Sequence, residues 1–377
     1  MLHRRAVLIG ALAASIDGVR AHAETLTDET IQAILGKRIG INRRSTGVVA
    51  VVSDDAGSRL FSYGRTDTPD NRPLDGDTVF EIGSITKVLT ALILADMVER
   101  GEVAMADPVA KYLPTSVKVP EYQVKPVTLL DLATYTSGLP NMPDNFAPKD
   151  PLNPFADYTV DQLYAFLSDH TLQYEPGTHY EYANLGFGLL GHALARRADK
   201  SYEELLVERI CDPLGLRSTR ITLTEDMRSR LAQGHNQNLE PTPLWDIQTL
   251  AGAGAVRSTA SDLIVFLAVC LGRRPSPLRA PLARLLETRR PTGVPGHEMG
   301  LGWFISSDHG DELAWKSGAT GGFRTFIGFS TISHQGSIAL SNAHYLEFID
   351  LGMNLINPEF RPIGIRSLFG DGLATRH

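Results

Sequence analysis

The chain has 377 residues, of which 43% are hydrophobic and 21% are charged. This composition is ordinary for a globular protein, and the length allows one or two domains with a sizeable core. The formal net charge is −7, and no stripe of basic residues interrupts it. A nucleic-acid partner is therefore not expected, because phosphate backbones are bound by clustered positive charge.

Residues 1–23 are arranged like a secretory signal peptide. Arg4 and Arg5 precede an apolar run at residues 6–14, and Ala21-His22-Ala23 forms a small-x-small cleavage site. The run is too short to span a bilayer permanently. We therefore expect cleavage after Ala23, a periplasmic location and no membrane-spanning segment in the mature chain. The arginine pair leaves Sec and twin-arginine export open, and a retained amphipathic anchor is the alternative interpretation.

Strand patterns lie towards both ends of the mature chain, and helix patterns lie between them. Residues 46–64 predict a hairpin with its turn at 54–57, and three later strands are predicted at 312–319, 323–330 and 337–343. Short links between the later strands indicate antiparallel neighbours. The apolar periodicity predicts helices at 84–100, 128–136, 160–168, 185–197, 201–210, 259–271 and 345–356.

These elements predict an α+β fold in which both chain ends build one antiparallel β-sheet flanked by helices. Residues 24–90 and 250–377 would form the sheet domain, and residues 91–249 a mainly helical inserted domain, with the active site in the cleft between them. The irregular stretch at 141–158 is long for a compact protein, and such loops are usually functional or mobile. No motif has the spacing of metal ligands, so neither a metal nor another cofactor is expected.

The first chemical signal lies at the start of the helix predicted over 84–100. Ser84 and Lys87 lie one turn apart on the same face of this otherwise apolar helix. The helix N-terminus favours developing negative charge, and burial disfavours a charged ammonium. Lys87 in a desolvated place can therefore accept the serine proton. The alternative is an N-capping serine and a lysine whose ammonium reaches water.

Two further motifs have ordinary explanations when each is considered alone. Tyr182-Ala-Asn184 precedes an apolar helix, so Asn184 would cap that helix and Tyr182 would be a buried ring. Lys316-Ser317-Gly318 lies late in a predicted strand, where a lysine protects an edge and a glycine marks a bulge. The catalytic plan of the α/β-hydrolases has no support, because no G-x-S-x-G elbow occurs.

Taken together and in this order, the motifs S-x-x-K, Y-x-N and K-[ST]-G resemble those of the penicillin-recognising serine hydrolases. This family includes class C β-lactamases, low-molecular-weight DD-peptidases and family VIII esterases. Further segments are similar in sequence and in order, namely residues 132–140, 176–191, 258–263, 300–303 and 316–323. The resemblance covers essentially the whole mature chain and implies the β-lactamase/transpeptidase-like fold.

The resemblance also implies a role for each residue of the first two motifs. Ser84 would be the nucleophile of an acyl transfer. Lys87 and Tyr182 would be a coupled base pair, and which of the two carries the proton at rest stays open. Asn184 would orient Lys87 and the amide of the substrate.

The third motif would bind the substrate and the oxyanion. Lys316 and Ser317 would hold a substrate carboxylate or assist the proton relay. Gly318, which has no Cβ, would let a substrate backbone lie against the strand. By resemblance, the backbone N–H groups of Ser84 and Ala319 would donate to the oxyanion.

Segments outside the motifs give opposing indications about the substrate. "KSGATGGF" is close to the class C form, and "LSNAHYLE" is similar to the class C segment in which an asparagine meets the substrate carboxylate, which indicates Asn342. In contrast, "TYTSGLPNM" is one residue shorter than its class C counterpart and lacks a glutamine. "HYEYANLGFGLLG" is closer to DD-peptidases and esterases. Arg324 would favour a peptide carboxylate, or would be a solvent-facing strand charge.

The leading hypothesis is a monomeric, periplasmic, class C-like β-lactamase that works through an acyl-enzyme. A DD-carboxypeptidase or endopeptidase acting on D-Ala-terminated peptides is the first alternative, and a carboxylesterase of the same fold is the second. A sensor that is acylated but does not turn over is a further hypothesis. It is disfavoured because no membrane segment would carry its signal inward.

Overall fold

Eight strands form one antiparallel sheet, and they come from two distant parts of the chain. The computed structural model describes residues 26–37, 46–308, 310–344 and 348–370. Strands β1 and β2, Gly47–Asp54 and Gly57–Gly64, form the predicted hairpin. The other strands lie late in the chain: β3 Arg290–Pro291, β4 His297–Met299, β5 Phe304–Asp308, β6 Asp311–Ala319, β7 Arg324–Ser330 and β8 Gly336–Ser341. The α+β class, with a sheet built from both chain ends, is confirmed.

The strand order is β2-β1-β8-β7-β6-β5-β4-β3, so β1 lies between its hairpin partner and the C-terminal strand. The register of β1 with β8 runs from Val48 opposite Ser341 to Ser53 opposite Gly336. Every residue of β1 is buried. This explains the uninterrupted apolar run at residues 48–52, because a strand covered on both faces needs no polar alternation.

Helices cover both faces of the sheet and form a further layer beside it. They are α1 Asp28–Gly36, α2 Thr86–Glu99, α3 Leu129–Ala133, α4 Val160–Asp169, α5 Asn184–Ala198, α6 Tyr202–Leu206, α7 Asp212–Leu214, α8 Glu225–Ser229, α9 Ala251–Gly254, α10 Ala260–Cys270, α11 Arg279–Glu287 and α12 Phe348–Ile356. A Cβ at Gly336 would be 3.0 Å from Leu267 of α10. The next residue, Ser337, donates its hydroxyl to Gly352 O of α12 at 2.7 Å. Because neighbouring strand residues point to opposite faces, α10 and α12 lie on opposite sides of the sheet.

Helix α2 lies deep in the core. It follows a 3-10 turn at Gly83–Ile85 and contacts α5, α6, α9 and α11. All residues from Thr86 to Met97 are buried. The helix predicted over 84–100 is therefore present, and its nearly all-round apolar character reflects packing on every side.

Some elements of the structure carry too little pattern to be predicted. Strands β3 and β4 have only two and three residues, and an alternation cannot be recognised over that length. Helix α11 contains Pro281 in its first turn, which interrupts the apolar spacing. The helix predicted over 201–210 is α6 followed by a π turn at Val207–Cys211. Of the last predicted helix, residues 345–347 lie outside the described residues.

The ends and the proposed domain boundaries add three further points. The predicted signal peptide at 1–23 lies outside the described residues. The boundary proposed between residues 90 and 91 falls within α2, and the division into two domains stays a prediction. Among the helices of the described residues, none is long and apolar enough to cross a membrane.

Gly352 of α12 should tolerate no larger residue. A Cβ there would be 2.1 Å from the Phe326 ring of β7, so Gly352→Ala should push α12 away from the sheet. We expect a loss of about 1–3 kcal/mol in the free energy of unfolding, measured by urea denaturation. Gly36→Ala is the matched control, because a Cβ there has its nearest neighbour at 3.8 Å. Equal stability of the two variants would contradict this view of the α12 interface.

Candidate active site

Ser84 lies where the sheet meets the helical layer. It belongs to the 3-10 turn that leads from a short strand, Val79–Glu81, into α2. The Ser84 hydroxyl oxygen accepts hydrogen bonds from Lys87 Nζ at 2.8 Å and from the Tyr182 hydroxyl at 2.9 Å. The structure thus brings together the residues for which the sequence predicts nucleophile and base.

Lys87 is fully buried, and its three hydrogen-bond acceptors are neutral oxygens. Besides Ser84, Nζ donates to Asn184 Oδ1 at 2.8 Å and to Ala253 O at 2.6 Å. Burial without a compensating carboxylate in the described part of the chain lowers the pKa of Lys87 well below its usual range. A neutral amine at this distance can accept the serine proton, whereas the alternative of an ammonium that reaches water does not fit a fully buried side chain.

Tyr182 lies just before α5 and is also buried. Burial raises its pKa to about 12, and hydrogen bonds with Ser84 and Tyr135 act in the opposite direction. The Nζ atoms of Lys87 and Lys316 lie 5.2 and 4.7 Å from the centre of the Tyr182 ring. Positive charge on either amine would favour the phenolate, so these groups titrate as one coupled system.

Asn184 is the first residue of α5, and a second asparagine fixes its direction. Asn141 Oδ1 accepts hydrogen bonds from Asn184 Nδ2 at 3.1 Å and from the Asn184 backbone N–H at 3.2 Å. Asn141 O accepts another from Leu185 N at 3.0 Å. Asn141 therefore caps α5 and leaves Asn184 Oδ1 free to face Lys87. In the sequence, this segment is notable only for the glutamine that it lacks.

Lys316 is fully buried on β6 and faces an aromatic surface. Its Nζ donates to the Tyr135 hydroxyl at 2.8 Å and lies 4.3 Å from the centre of the Phe304 ring. Burial, together with the charge of Lys87, lowers the pKa of Lys316 well below its usual range. The predicted edge lysine is thus an interior amine close to Tyr182.

Tyr135 is a site residue that the sequence pattern does not reveal. It is buried, its ring centre lies 4.7 Å from that of Tyr182, and its backbone φ is 56°. A tyrosine in this left-handed region is strained, and such strain concentrates at functional sites. Burial raises the pKa of Tyr135 well above its usual range, so it remains a hydrogen-bond donor. It lies within the family-like segment 132–140, but nothing in one sequence separates it from a core tyrosine.

The end of β6 lies against the turn that carries Ser84. A Cβ at Gly83 would be 2.6 Å from Ala319 N, and a Cβ at Gly318 would be 2.0 Å from Ile82 O. Gly83 also has a φ of 50°, a conformation that glycine adopts without strain. This close approach puts Ala319 N beside the nucleophile turn, where an oxyanion donor is needed. The missing Cβ of Gly318 makes room for the Ile82 carbonyl, and its predicted role towards a substrate backbone stays a prediction.

Asn342 is fully buried, contrary to the predicted contact with a substrate carboxylate. Its Oδ1 accepts the Thr46 hydroxyl at 2.7 Å, and its Nδ2 donates to Gln233 O at 3.0 Å. Longer contacts join Nδ2 to the carbonyl oxygens of Arg65 and Thr66. The amide thus fastens neighbouring loops to the end of β8. Its position after a strand is visible in the sequence, but the direction of its side chain is not.

Ser317 and Arg324 lie on neighbouring strands beside Ala319. Ser317 and Ala319 point to the same face of β6, and Arg324 of β7 stands in register with Ala319 on that face. Arg324 is half-buried, donates to His344 Nε2, and has its pKa lowered by burial to about 10. No carboxylate among the described residues compensates its charge. It is therefore not a simple solvent-facing strand cation.

Comparison with known proteins agrees with this fold and site. A family model described as Beta-lactamase matches residues 19–354. The D-alanyl-D-alanine-carboxypeptidase/endopeptidase AmpH of Escherichia coli K12 is 31% identical over 86% of this chain and 88% of its own length. A beta-lactamase of Yersinia enterocolitica is 28% identical over 85% of this chain and 87% of its own length.

Solved structures support the same relationship. The Yersinia pestis beta-lactamase/D-alanine carboxypeptidase complexed with citrate has a TM-score of 0.74 and 26% identity, covering 87% of this chain and 96% of that one. The class C beta lactamase of Rhodobacter sphaeroides has a TM-score of 0.74 and 24% identity, covering 86% of this chain and 98% of that one. Fold and comparisons together define a serine hydrolase. More narrowly, the chain belongs to the beta-lactamase family.

Tyr135→Phe should shift the pH profile of turnover. Without the Tyr135 hydroxyl, Lys316 loses the hydrogen-bond acceptor that favours its charged form. Less positive charge beside Lys87 makes the Lys87 ammonium harder to deprotonate, so the acidic limb of kcat/KM should move to higher pH. The measurement is kcat/KM from pH 5 to 10, with the fold checked by melting temperature.

Tyr180→Phe is the matched control for this change. Tyr180 packs edge-to-face on Tyr135, but its hydroxyl donates to Leu368 O at 2.7 Å, away from the relay. Its pH profile should match that of the wild type. Identical profiles for Tyr135→Phe and the wild type would restrict Tyr135 to a packing role.

Proposed function

We propose that Ser84 attacks the carbonyl carbon of a substrate amide and forms an acyl-enzyme, which water then hydrolyses. The observation that carries this proposal is the double contact of Ser84 Oγ, 2.8 Å from Lys87 Nζ and 2.9 Å from the Tyr182 hydroxyl. A serine nucleophile needs a base within hydrogen-bond reach, and an amide nitrogen needs an acid in order to leave. Lys87 is available as the base, and Tyr182 is available as the acid.

Acylation proceeds with all protons accounted for. Lys87, whose burial favours the neutral amine, accepts the Ser84 proton as the Oγ–C bond forms. The carbonyl oxygen of the tetrahedral intermediate is stabilised by the N–H groups of Ser84 and Ala319. Tyr182 gives its proton to the leaving nitrogen as the C–N bond breaks, and protonated Lys87 then restores the Tyr182 proton. In deacylation the same groups take a proton from water and return one to Ser84.

A carboxylate on the leaving side of the amide would be bound by Arg324 and Ser317. Both lie on the sheet face that includes Ala319, and Arg324 is a half-buried cation that no described carboxylate compensates. Lys316, closer to Tyr182, would add positive potential in the same direction when it is protonated. β-Lactams and D-Ala-D-Ala peptides share this arrangement of an amide followed by a carboxylate.

A β-lactam is the first candidate substrate. The family relationship and the class C-like segment "KSGATGGF" support it. A D-Ala-terminated peptide is the second candidate. It is favoured by the 31% identity to the D-alanyl-D-alanine-carboxypeptidase/endopeptidase AmpH and by the buried Asn342, which removes one of the two class C-like features. The enzyme would act in the periplasm as a monomer, after cleavage behind Ala23.

Three substrates assayed side by side should separate these candidates. The wild type would be compared on a chromogenic cephalosporin, a D-Ala-D-Ala peptide and a short-chain aryl ester, with Ser84→Ala as the control. We expect the highest kcat/KM on the cephalosporin and no acyl adduct in the intact mass of Ser84→Ala. Preferred turnover of the peptide or the ester would select the corresponding alternative. An adduct that persists for hours would indicate a sensor, and an adduct on Ser84→Ala would place the nucleophile elsewhere.

Tyr182→Phe should separate catalysis from packing. If Tyr182 carries protons in both acylation and deacylation, turnover should fall about 100-fold or more, and any adduct that forms slowly with Lys87 alone should persist. The melting temperature should change little or rise, because active-site polar groups are often kept at a cost to folding. Turnover and melting temperature are measured on the same preparation. Near-normal turnover with a lowered melting temperature would show that Tyr182 only packs in the core and carries no proton in catalysis.

A further inference from the structure

A buried ion pair binds both backbone polar groups of Trp245. Trp245 N donates to Glu81 Oε1 at 2.9 Å, and Trp245 O accepts from Arg257 Nη2 at 2.8 Å. Arg257 and Glu81 also contact each other at 3.2 Å, and both are buried. Glu81 ends the short strand that leads into Ser84, so Trp245 is positioned by the same strand as the nucleophile.

Trp245 in turn holds the long loop at 141–158. Its Nε1 donates to Leu152 O at 3.0 Å, and its ring centre lies 5.3 Å from that of Phe155. The next residue, Asp246, exchanges two hydrogen bonds with Asn153: the Asp246 backbone N–H donates to Asn153 Oδ1 at 2.8 Å, and Asn153 Nδ2 donates to Asp246 Oδ2 at 2.9 Å. We call these five residues, Leu152, Asn153, Phe155, Trp245 and Asp246, the bridge.

The bridge reaches the sheet just beyond the oxyanion residue. A Cβ at Gly321 would be 2.8 Å from Trp245 Nε1, so the indole lies against the backbone of the turn that follows Ala319. The loop therefore crosses from the helical layer to the sheet at this end of the cleft. Leu152 remains 57% exposed, which leaves an apolar side chain at the rim.

The side of the substrate that meets the bridge follows from the proton transfers. The leaving nitrogen must face Tyr182, so the acyl portion extends away from it, past Lys87 and the α9 carbonyl at Ala253. Helix α9 consists of alanine and glycine only. A Cβ at Gly254 would have Ile247 at 3.4 Å and the Gly83 backbone at 3.8 Å. Ile247 directly follows the bridge, so an acyl side chain on this path would have small residues on one side and the bridge on the other.

We propose that the bridge is the wall of the acyl side of the cleft and limits the substrate to compact, apolar acyl groups. This inference rests on the proposed function. The Trp245 indole offers a flat apolar surface, and its backbone clamp prevents it from moving aside for a branched group. The hydrogen bonds between Asn153 and Asp246 keep the loop from opening. Amides with a small or flat acyl side chain are accepted, and those with a bulky one are rejected at acylation.

Penicillins that share one nucleus and differ only in the acyl group test this directly. The probes are benzylpenicillin, whose side chain is flat, and methicillin, whose dimethoxyphenyl group is bulky next to the amide. Rates of Ser84 acylation are followed by intact mass, and kcat/KM is measured for both. Trp245→Ala and Asn153→Ala should raise the ratio of kcat/KM for methicillin to kcat/KM for benzylpenicillin about 10-fold. This is the order of discrimination that an apolar pocket provides.

Two variants serve as controls. Asp246→Asn keeps an oxygen acceptor and the backbone donor, so it should retain the ratio of the wild type. Phe146→Ala removes a ring that packs on Phe155 and Tyr158 in the same loop, outside the bridge, and should lower stability without changing the ratio. Melting temperatures identify variants that lose the fold.

The outcomes separate the inference from the function on which it rests. An equal loss of rate on both penicillins in Trp245→Ala and Asn153→Ala, with the ratio unchanged, would reduce the bridge to a structural support and overturn the inference. A wild type in which neither penicillin acylates Ser84 would overturn the proposed function and the inference with it. A ratio that rises in the two bridge variants and stays constant in both controls would establish the wall.

Discussion

The site depends on the burial of one amine among neutral oxygens. Lys87 Nζ contacts Ser84, Asn184 and Ala253 with no compensating carboxylate in the described part of the chain, and a permanent ammonium there would be costly. The packing of α5 on α9 maintains this environment. A Cβ at Gly252 would be 2.9 Å from Gly191 Cα, so only paired glycines let the two helices approach this closely. That approach brings the Ala253 carbonyl within reach of the lysine.

The proposed oxyanion donors, the N–H groups of Ser84 and Ala319, depend on backbone contacts instead. Gly83 and Gly318 allow β6 to lie directly on the nucleophile turn, and Thr325 Oγ1 donates to Ile82 O at 2.8 Å to hold the two together. Because preorganised donors cost no rearrangement during a reaction, the sheet would contribute to the proposed catalysis through its position. The helical layer would contribute the groups that carry protons in the proposed mechanism.

Much of this arrangement can be predicted from the sequence, because motif spacing and periodicity report on local geometry. Ser84 and Lys87 share a helix face, and Lys316 stands late on a strand, so their pattern was visible. Tyr135 and Asn141 were not predictable, since they act through contacts with residues far away in the chain. For Asn342 the position could be predicted from resemblance, but the direction of the side chain could not. The side chain turns into the core because three loops supply hydrogen-bond partners there.

The buried pair of Glu81 and Arg257 is best understood through what it holds. Buried ion pairs often add little stability over well-packed apolar residues, because desolvation offsets their attraction. An apolar pair at this place, however, would leave the Trp245 N–H and C=O without the partners that now bind them. Glu81 and Arg257 also stand directly opposite each other on paired strands. The pair therefore connects the strand that leads into Ser84, the proposed nucleophile, with Trp245 of the proposed wall. Under the two proposals, selection and acylation would rely on one rigid unit, so a substrate that displaced the wall would also disturb the nucleophile.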